Sequence, residues 1–261
     1  MQTQRPKQNR LLAALPDQDY VRLLPFMELV QMPLGMVLHE SGDMPRSAYF
    51  PTSGVVSLLS GTAHRASVEI AVVGSEGMVN IASLLDGDVR ASRAVVRAAG
   101  YAFRVKSPVL KNEFARGEGL ERLALAYLQA LMVQMAQTEA CDRVHTAEQR
   151  FCRYLLLTLD RSSGHRLTLT KSQMAISLGI APAAITGLVR HLEADGVLHS
   201  AGGRIAILDR SALTQRTCGC YTVVSREYAR LFADLAAPPG QARAVENPWG
   251  ASAGLAASPA W

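Results

Sequence analysis

The chain of 261 residues is 49% hydrophobic, 19% charged and 6% aromatic, a balance that can bury a core and that excludes a globally disordered polypeptide. Its net charge of +5 favours an anionic partner such as nucleic acid without establishing one. The N-terminal segment lacks an export signal, the uncharged run Leu123 to Thr138 falls short of a bilayer span, and the cysteines Cys141, Cys152, Cys218 and Cys220 are too few to staple the chain, so a reduced, cytoplasmic protein with no membrane segment is expected.

Over residues 8–30, Leu11, Leu12, Leu15, Val21 and Leu24 at helical spacing, broken by Pro16 and Pro25, predict short helices. From Met32 to Lys106 the pattern turns to short β-type runs: VLHE, SAYFP, VVSLLS, VEIAVV, RAVVRA and YAFRV. Turn formers stand between them at Ser41-Gly42-Asp43, Ser53-Gly54, Gly74-Ser75, Asp86-Gly87-Asp88 and Gly100, which predicts a small antiparallel barrel or roll. After Ser107-Pro108 the helical period returns. Ala124, Leu128, Leu131, Met135 and Thr138 recur at alternating steps of four and three, the seam of a long helix pairing with its own copy; a helix buried against its own domain gives the same spacing. A second helix is expected over about Ala147 to Leu159.

Residues 165–210 carry the most specific pattern. Thr170 can cap a helix whose third position is Gln173, and Gly179 ends it. Pro182 suits the first turn of the next helix, where its missing N–H costs nothing, and Ile185, Leu188, Val189 and Leu192 give that helix one apolar face before Gly196 stops it. The runs VLHS and RIAIL flank Ala201-Gly202-Gly203 as a hairpin. Two helices joined by a short Gly-containing turn and followed by a hairpin predict a winged helix-turn-helix, whose second helix enters a DNA major groove. Its outer face carries Ala183, Thr186, Gly187 and Arg190, while Thr170, Lys171 and Ser172 open the first helix, where amides and positive charge suit a phosphate, and Arg204 stands on the wing. The same motif also serves as a scaffold in proteins that never touch DNA.

The order β-roll, long helix, winged helix-turn-helix, together with LTKSQMAISLGIAPAAITGLVRHLEADGVL, GGRIAILDR, AYFPTSGVVSL and GSEGMVNIASLL, resembles the Crp/Fnr superfamily of bacterial transcription regulators over about residues 10–216. HTAEQRFCRYLLL and CGCY resemble a subgroup of it. The resemblance implies a homodimer that reads a roughly palindromic operator, contacts RNA polymerase, and changes its DNA affinity when the sensor domain binds a small-molecule effector. It also implies phosphate contacts for Thr170, Lys171, Ser172 and Arg204 and a basic recognition position for Arg190. Pro182, Ala183 and Gly187 stand where the family carries an Arg-Glu pair and a further Arg, so direct readout rests on Arg190, with Thr186 and alanine methyls on thymine methyls and DNA shape supplying the rest.

In cyclic-nucleotide-binding members a Gly-Glu pair precedes Arg-Ser or Arg-Thr. Gly74, Ser75, Glu76 and Gly77 match the first part, but the second reads Ser92-Arg93, reversed, which moves the arginine to the opposite face of a strand. The chain is therefore read as a subgroup lacking the intact phosphate-binding motif, with Gly74, Glu76, Gly77, Ser92 and Arg93 as candidate effector contacts and the effector itself unidentified.

Other chemistry has less to stand on. Cys218-Gly219-Cys220 is a close pair that could bind a soft metal or form a redox disulfide, but it is short of the four ligands of a zinc site and reads as a surface thiol pair; no cysteine precedes Cys141 to hold an iron–sulfur cluster, so no metal is expected. The six histidines are scattered, with His39 and His64 as lone candidates for a haem, and no nucleophile or nucleotide motif marks an enzyme. The expected organisation is α+β: a sensor β-roll of the cyclic-nucleotide-binding type with its N-terminal helices (1–117), a dimerisation helix (118–143), a winged helix-turn-helix domain (144–216), a helical extension (217–235) and a Pro/Gly/Ala/Ser-rich disordered tail (236–261). The expected function is an effector-responsive DNA-binding regulator. The alternatives left open are a cyclic-nucleotide module acting through protein contacts and a metal-dependent β-roll enzyme.

Overall fold

A computed structural model of the chain describes residues 4–44, 46–61, 68–84, 92–162 and 166–236. His64, the Asp86-Gly87-Asp88 turn and the tail, apart from Ala236, lie outside the described residues.

Asn9 caps α1 (Arg10–Ala14), accepting from the Leu11 and Leu12 amides at 3.1 and 3.2 Å, and α2 (Asp17–Leu23) follows Pro16. The helical expectation then overruns the structure: residues Glu28–Met32 are a strand, β1, not the end of a helix. Pro25 stops the helical path, and the segment finds its hydrogen bonds along a later strand instead. Six more strands complete the roll: β2 (Val37–His39), β3 (Ser47–Pro51), β4 (Val55–Ser60), β5 (Val68–Val73), β6 (Ser92–Ala98) and β7 (Gly100–Lys106). They form two antiparallel sheets, β1-β7-β3 and β2-β6-β4-β5. Glu28 lies opposite Arg104 and Met32 opposite Gly100, while Val56 is paired with Val73 on one side and Val96 on the other. Phe50, Val56, Val73, Val96 and Val105 point into the core with Leu11, Leu12 and Leu23.

Helix α3 (Ser107–Phe114) leads into the long α4 (Gly119–Val144), and α5 (Ala147–Arg161) starts from a capping box between Thr146 and Gln149. Next come β8 (Arg166–Thr168), α6 (Lys171–Leu178), α7 (Pro182–Ala194), β9 (Leu198–Ala201), β10 (Arg204–Ile207), α8 (Arg210–Gln215) and α9 (Gly219–Ala236). Sheet order β8-β10-β9 adds a third strand, β8, to the expected hairpin.

Helix α4 is apolar on more than one side. Leu123, Ala124, Tyr127, Ala130, Leu131 and Thr138 are buried within the chain, partly against β5 and partly against α9. Helix α9 offers Tyr221, Val224, Tyr228 and Leu231, one apolar stripe at steps of three and four, and Tyr228 meets Tyr127 edge-on with ring centroids 6.4 Å apart. At the far end of α9, Arg10 of α1 stacks on the Phe232 ring at 3.7 Å. No single helix among the described residues is long and apolar enough to cross a membrane.

Candidate nucleic-acid interface

Local chemistry builds the helix pair α6–α7. The Thr170 hydroxyl accepts from the Gln173 amide at 3.2 Å while the Gln173 side chain accepts from the Thr170 amide at 2.9 Å. Gly179 then takes the left-handed conformation, φ 62°, and its amide returns to the carbonyls of Ala175 and Ile176. Three residues later α7 begins at Pro182, and the two helix axes diverge by 109°. Ile185, Val189 and Leu192 are buried beneath α7. Beyond it, β9 and β10 are joined by Gly202 and Gly203 alone, at φ 57° and 73°, the positive values a tight two-residue hairpin demands.

This scaffold leaves an uncommitted face. Ala183, Gly187 and Arg190 are exposed on α7, with Thr186 half-buried and its hydroxyl donating to the Pro182 carbonyl at 3.1 Å. Lys171 and Ser172 are exposed at the start of α6, and Arg204 is exposed at the start of β10. Among the described residues Lys171, Arg190 and Arg204 make no ion pair. Arg150, Arg161, Arg210 and Arg216, by contrast, are each held by a carboxylate. Three cations left free on the first helix, the second helix and the wing are the arrangement that neutralises phosphates around a major groove. Thr170 is spent on its cap, so its hydroxyl serves the helix first.

The family model for the Crp-like helix-turn-helix domain matches residues 149–216, which span α5 through α8 and include every one of these groups. Residues 149–216 therefore form a Crp-like helix-turn-helix domain. Solved Crp/Fnr-type structures share the fold of the chain. FixK2 from Bradyrhizobium japonicum is 14% identical with a TM-score of 0.64, covering 74% of this chain and 98% of its own. A CRP-family transcriptional regulator from Thermus thermophilus is 17% identical with a TM-score of 0.60, covering 72% and 95%. The c-di-GMP-responsive global regulator CLP of Xanthomonas campestris is 17% identical with a TM-score of 0.58, covering 74% and 100%. No curated protein matches the sequence.

In this chain the candidate effector residues are not brought together. Glu76 is buried, accepts from the Gly74 amide at 3.1 Å, and pairs with Arg161 of α5 at 3.0 Å. Burial pushes its carboxyl above the usual range, and Arg161 opposes that shift. Arg161 also donates to the Val72 carbonyl at 2.9 Å and to Gln134 of α4. Gly74 and Gly77 are needed for packing: a Cβ on the first would strike Arg161 and on the second the Tyr127 ring. Arg93 instead pairs with Glu40 at 2.8 Å on the outside of the roll, and Ser92 beside it is half-buried. The Glu76–Arg161 pair escaped sequence reasoning because its partners are far apart in the chain; the one signal was a charged residue ending the apolar run of α5.

A cavity of about 680 Å³ opens between the roll and the helix-turn-helix, lined by Leu59, Arg93 and Val95 from the roll and Ser172, Ile176 and Pro182 from α6 and α7. Beside it, Glu69 of β5 accepts from Ser57 at 2.5 Å, from Ser177 of α6 at 3.1 Å and from Arg97. Arg97 in turn stacks on Tyr154 of α5 at 4.2 Å. The helix-turn-helix thus meets the roll at a buried carboxylate, where α6 packs on β5.

Two further expectations meet the structure differently. Of the seam residues, Ala124, Leu131 and Thr138 are buried inside the chain and Leu128 and Met135 are half-buried, whereas Leu125 and Met132 are 48% and 61% exposed. Cys218 and Cys220, expected as a surface pair, are buried together with Cys141.

Proposed function

We propose that this chain is an effector-responsive regulator that binds a pseudo-palindromic operator as a homodimer in the cytoplasm, contacting RNA polymerase beside it. The observation that carries the reading is the exposed face of α7, with Arg190 unpaired between the unpaired cations Lys171 and Arg204. Arg190 reads a base edge. Lys171, Ser172 and Arg204 hold phosphates, with Thr170 completing the cap that presents them. Ala183, Thr186 and Gly187 offer a low surface that fits closely against the groove, where shape and thymine methyls add to a thin direct readout.

Dimerisation is supported by the stripe Leu125, Leu128, Met132 and Met135 on α4, at steps of three and four, left outside the surface that α9 and β5 cover. Residues 1–117 act as sensor, 118–143 as dimerisation helix, 144–216 as DNA-binding domain and 217–235 as a helical extension. Effector response is supported by the cavity between the first and third of these. A ligand there touches both units, so it binds docked and undocked arrangements with different affinity, which is the requirement for shifting DNA binding.

The test is selection of random duplex DNA by the purified protein at near-physiological salt, with and without cell extract. An enriched two-fold-symmetric motif with half-sites about one helical turn apart is expected, lost in Arg190→Ala. No enrichment under either condition would refute the reading.

A further inference from the structure

Two groups of metal-ligating side chains stand close together in the described residues. In one, Asp19, Glu113 and Glu118, Arg22 already bridges all three carboxylates at 2.5 to 2.7 Å. The other is Cys141, His145, Cys218 and Cys220, whose ligand atoms all lie within 4.8 Å of one another and which contains no guanidinium or ammonium.

Its construction follows from two short motifs. Cys141 and His145 are four residues apart at the C-terminal end of α4, which places both on one face. Cys218 and Cys220 flank Gly219, the first residue of α9, where the positive helix end favours thiolates. Packing α9 along α4 sets the two motifs against each other. The Cys141 and Cys218 sulfurs are 3.5 Å apart, and the Cys220 sulfur is 3.8 Å from His145 Nδ1. Zinc bonds of about 2.3 Å to sulfur and about 2.0 Å to nitrogen, at tetrahedral angles, demand roughly 3.8 Å between sulfurs and roughly 3.6 Å between sulfur and nitrogen. Both of these separations lie close to those values, and all four ligand atoms lie within 4.8 Å of one another.

We propose that Cys141, His145, Cys218 and Cys220 form a closed tetrahedral site for one soft divalent cation, with zinc as its occupant. Three sulfurs and one imidazole select that chemistry over calcium or magnesium, which require oxygen ligands. Ligand atoms this close surround one ion; the ligands on separate irons of a cluster stand further apart. Binding releases the thiol protons to solvent and leaves a site of net charge −1. The buried guanidinium of Arg153 on α5 is near enough to act electrostatically on Cys141 and Cys220 and balances that charge. The ion would rivet the start of α9 to the end of α4, immediately before the His145–Thr146 junction from which α5 departs.

The test uses full-length, untagged protein purified under reducing conditions. Elemental analysis is expected to find about one zinc per chain, and cobalt(II) loading is expected to give the intense visible bands of a tetrahedral thiolate site. Cys218→Ser and His145→Ala should each lose most of the metal, while Cys152→Ser, which alters a buried cysteine outside the cluster, keeps it. In wild-type protein, alkylation of Cys141, Cys218 and Cys220 should accelerate at least about tenfold on adding a chelator, a readout that does not depend on any variant folding. Zinc-supplemented protein lacking both metal and the cobalt spectrum would overturn the proposal. So would metal retained in a Cys218→Ser/Cys220→Ser variant, or a Cys141–Cys218 disulfide in protein prepared without oxygen.

Discussion

Gly187 occupies the exposed side of α7, and among the described residues nothing beyond its own helix lies within 4 Å of where its Cβ would be. A glycine inside a helix costs about 1 kcal/mol relative to alanine, and no internal contact here explains accepting that cost. A close approach of α7 to DNA would account for it. Gly187→Ala is therefore expected to stabilise the free protein by about 1 kcal/mol, read as a higher Tm, while weakening operator binding by about tenfold in fluorescence anisotropy. A variant that is both more stable and equally good at binding DNA would show that the helix keeps its distance there. Gly74 and Gly77 present the opposite case, since the Arg161 and Tyr127 side chains fill the space their missing Cβ atoms leave.

At the scale of elements, what the sequence disclosed depended on whether a pattern was local. The helix-turn-helix is written within some forty residues, in Thr170, Gln173, Gly179 and Pro182, each acting on its own neighbours, and every one of those features has its counterpart in the caps and turn of α6 and α7. Strand β1 was not legible, because ELVQM has no alternation of its own and is held by pairing with β7 far along the chain. Helix α4 was legible as a helix but not in its faces. Apolar residues surround much of it, so periodicity alone does not separate the stripe that meets α9 from the one beside it. The fold distinguishes them: Leu131 is buried at 5% exposure, Met132 exposed at 61%. Met132→Asp is expected to weaken dimerisation at least about tenfold by light scattering with the circular dichroism unchanged. The same change at Leu131 would unfold the helix packing instead, because an unpaired charge in the core is far more costly.

For the whole molecule, the decisive contact is Glu69, where roll and helix-turn-helix meet. Ser177 donates the single neutral hydrogen bond from α6 to that buried carboxylate, and a bond to a charged group is worth about 1.5–3 kcal/mol. Ser177→Ala should therefore raise hydrogen exchange in α6 and β5 by about tenfold or more while leaving the interface of α4 and α9 unaffected. Unaltered exchange would mean that docking rests on the apolar contacts around the cavity alone. A different consequence attaches to Arg10 and Phe232, which bring the first α-helix of the described residues onto the last of them. The polypeptide is in effect a ring fastened without a covalent bond. The roll cannot loosen from below unless α9 lets go, and a chain cut after Arg216, where the matched domain ends, would open the ring and uncover the side of Tyr127 that Tyr228 shields.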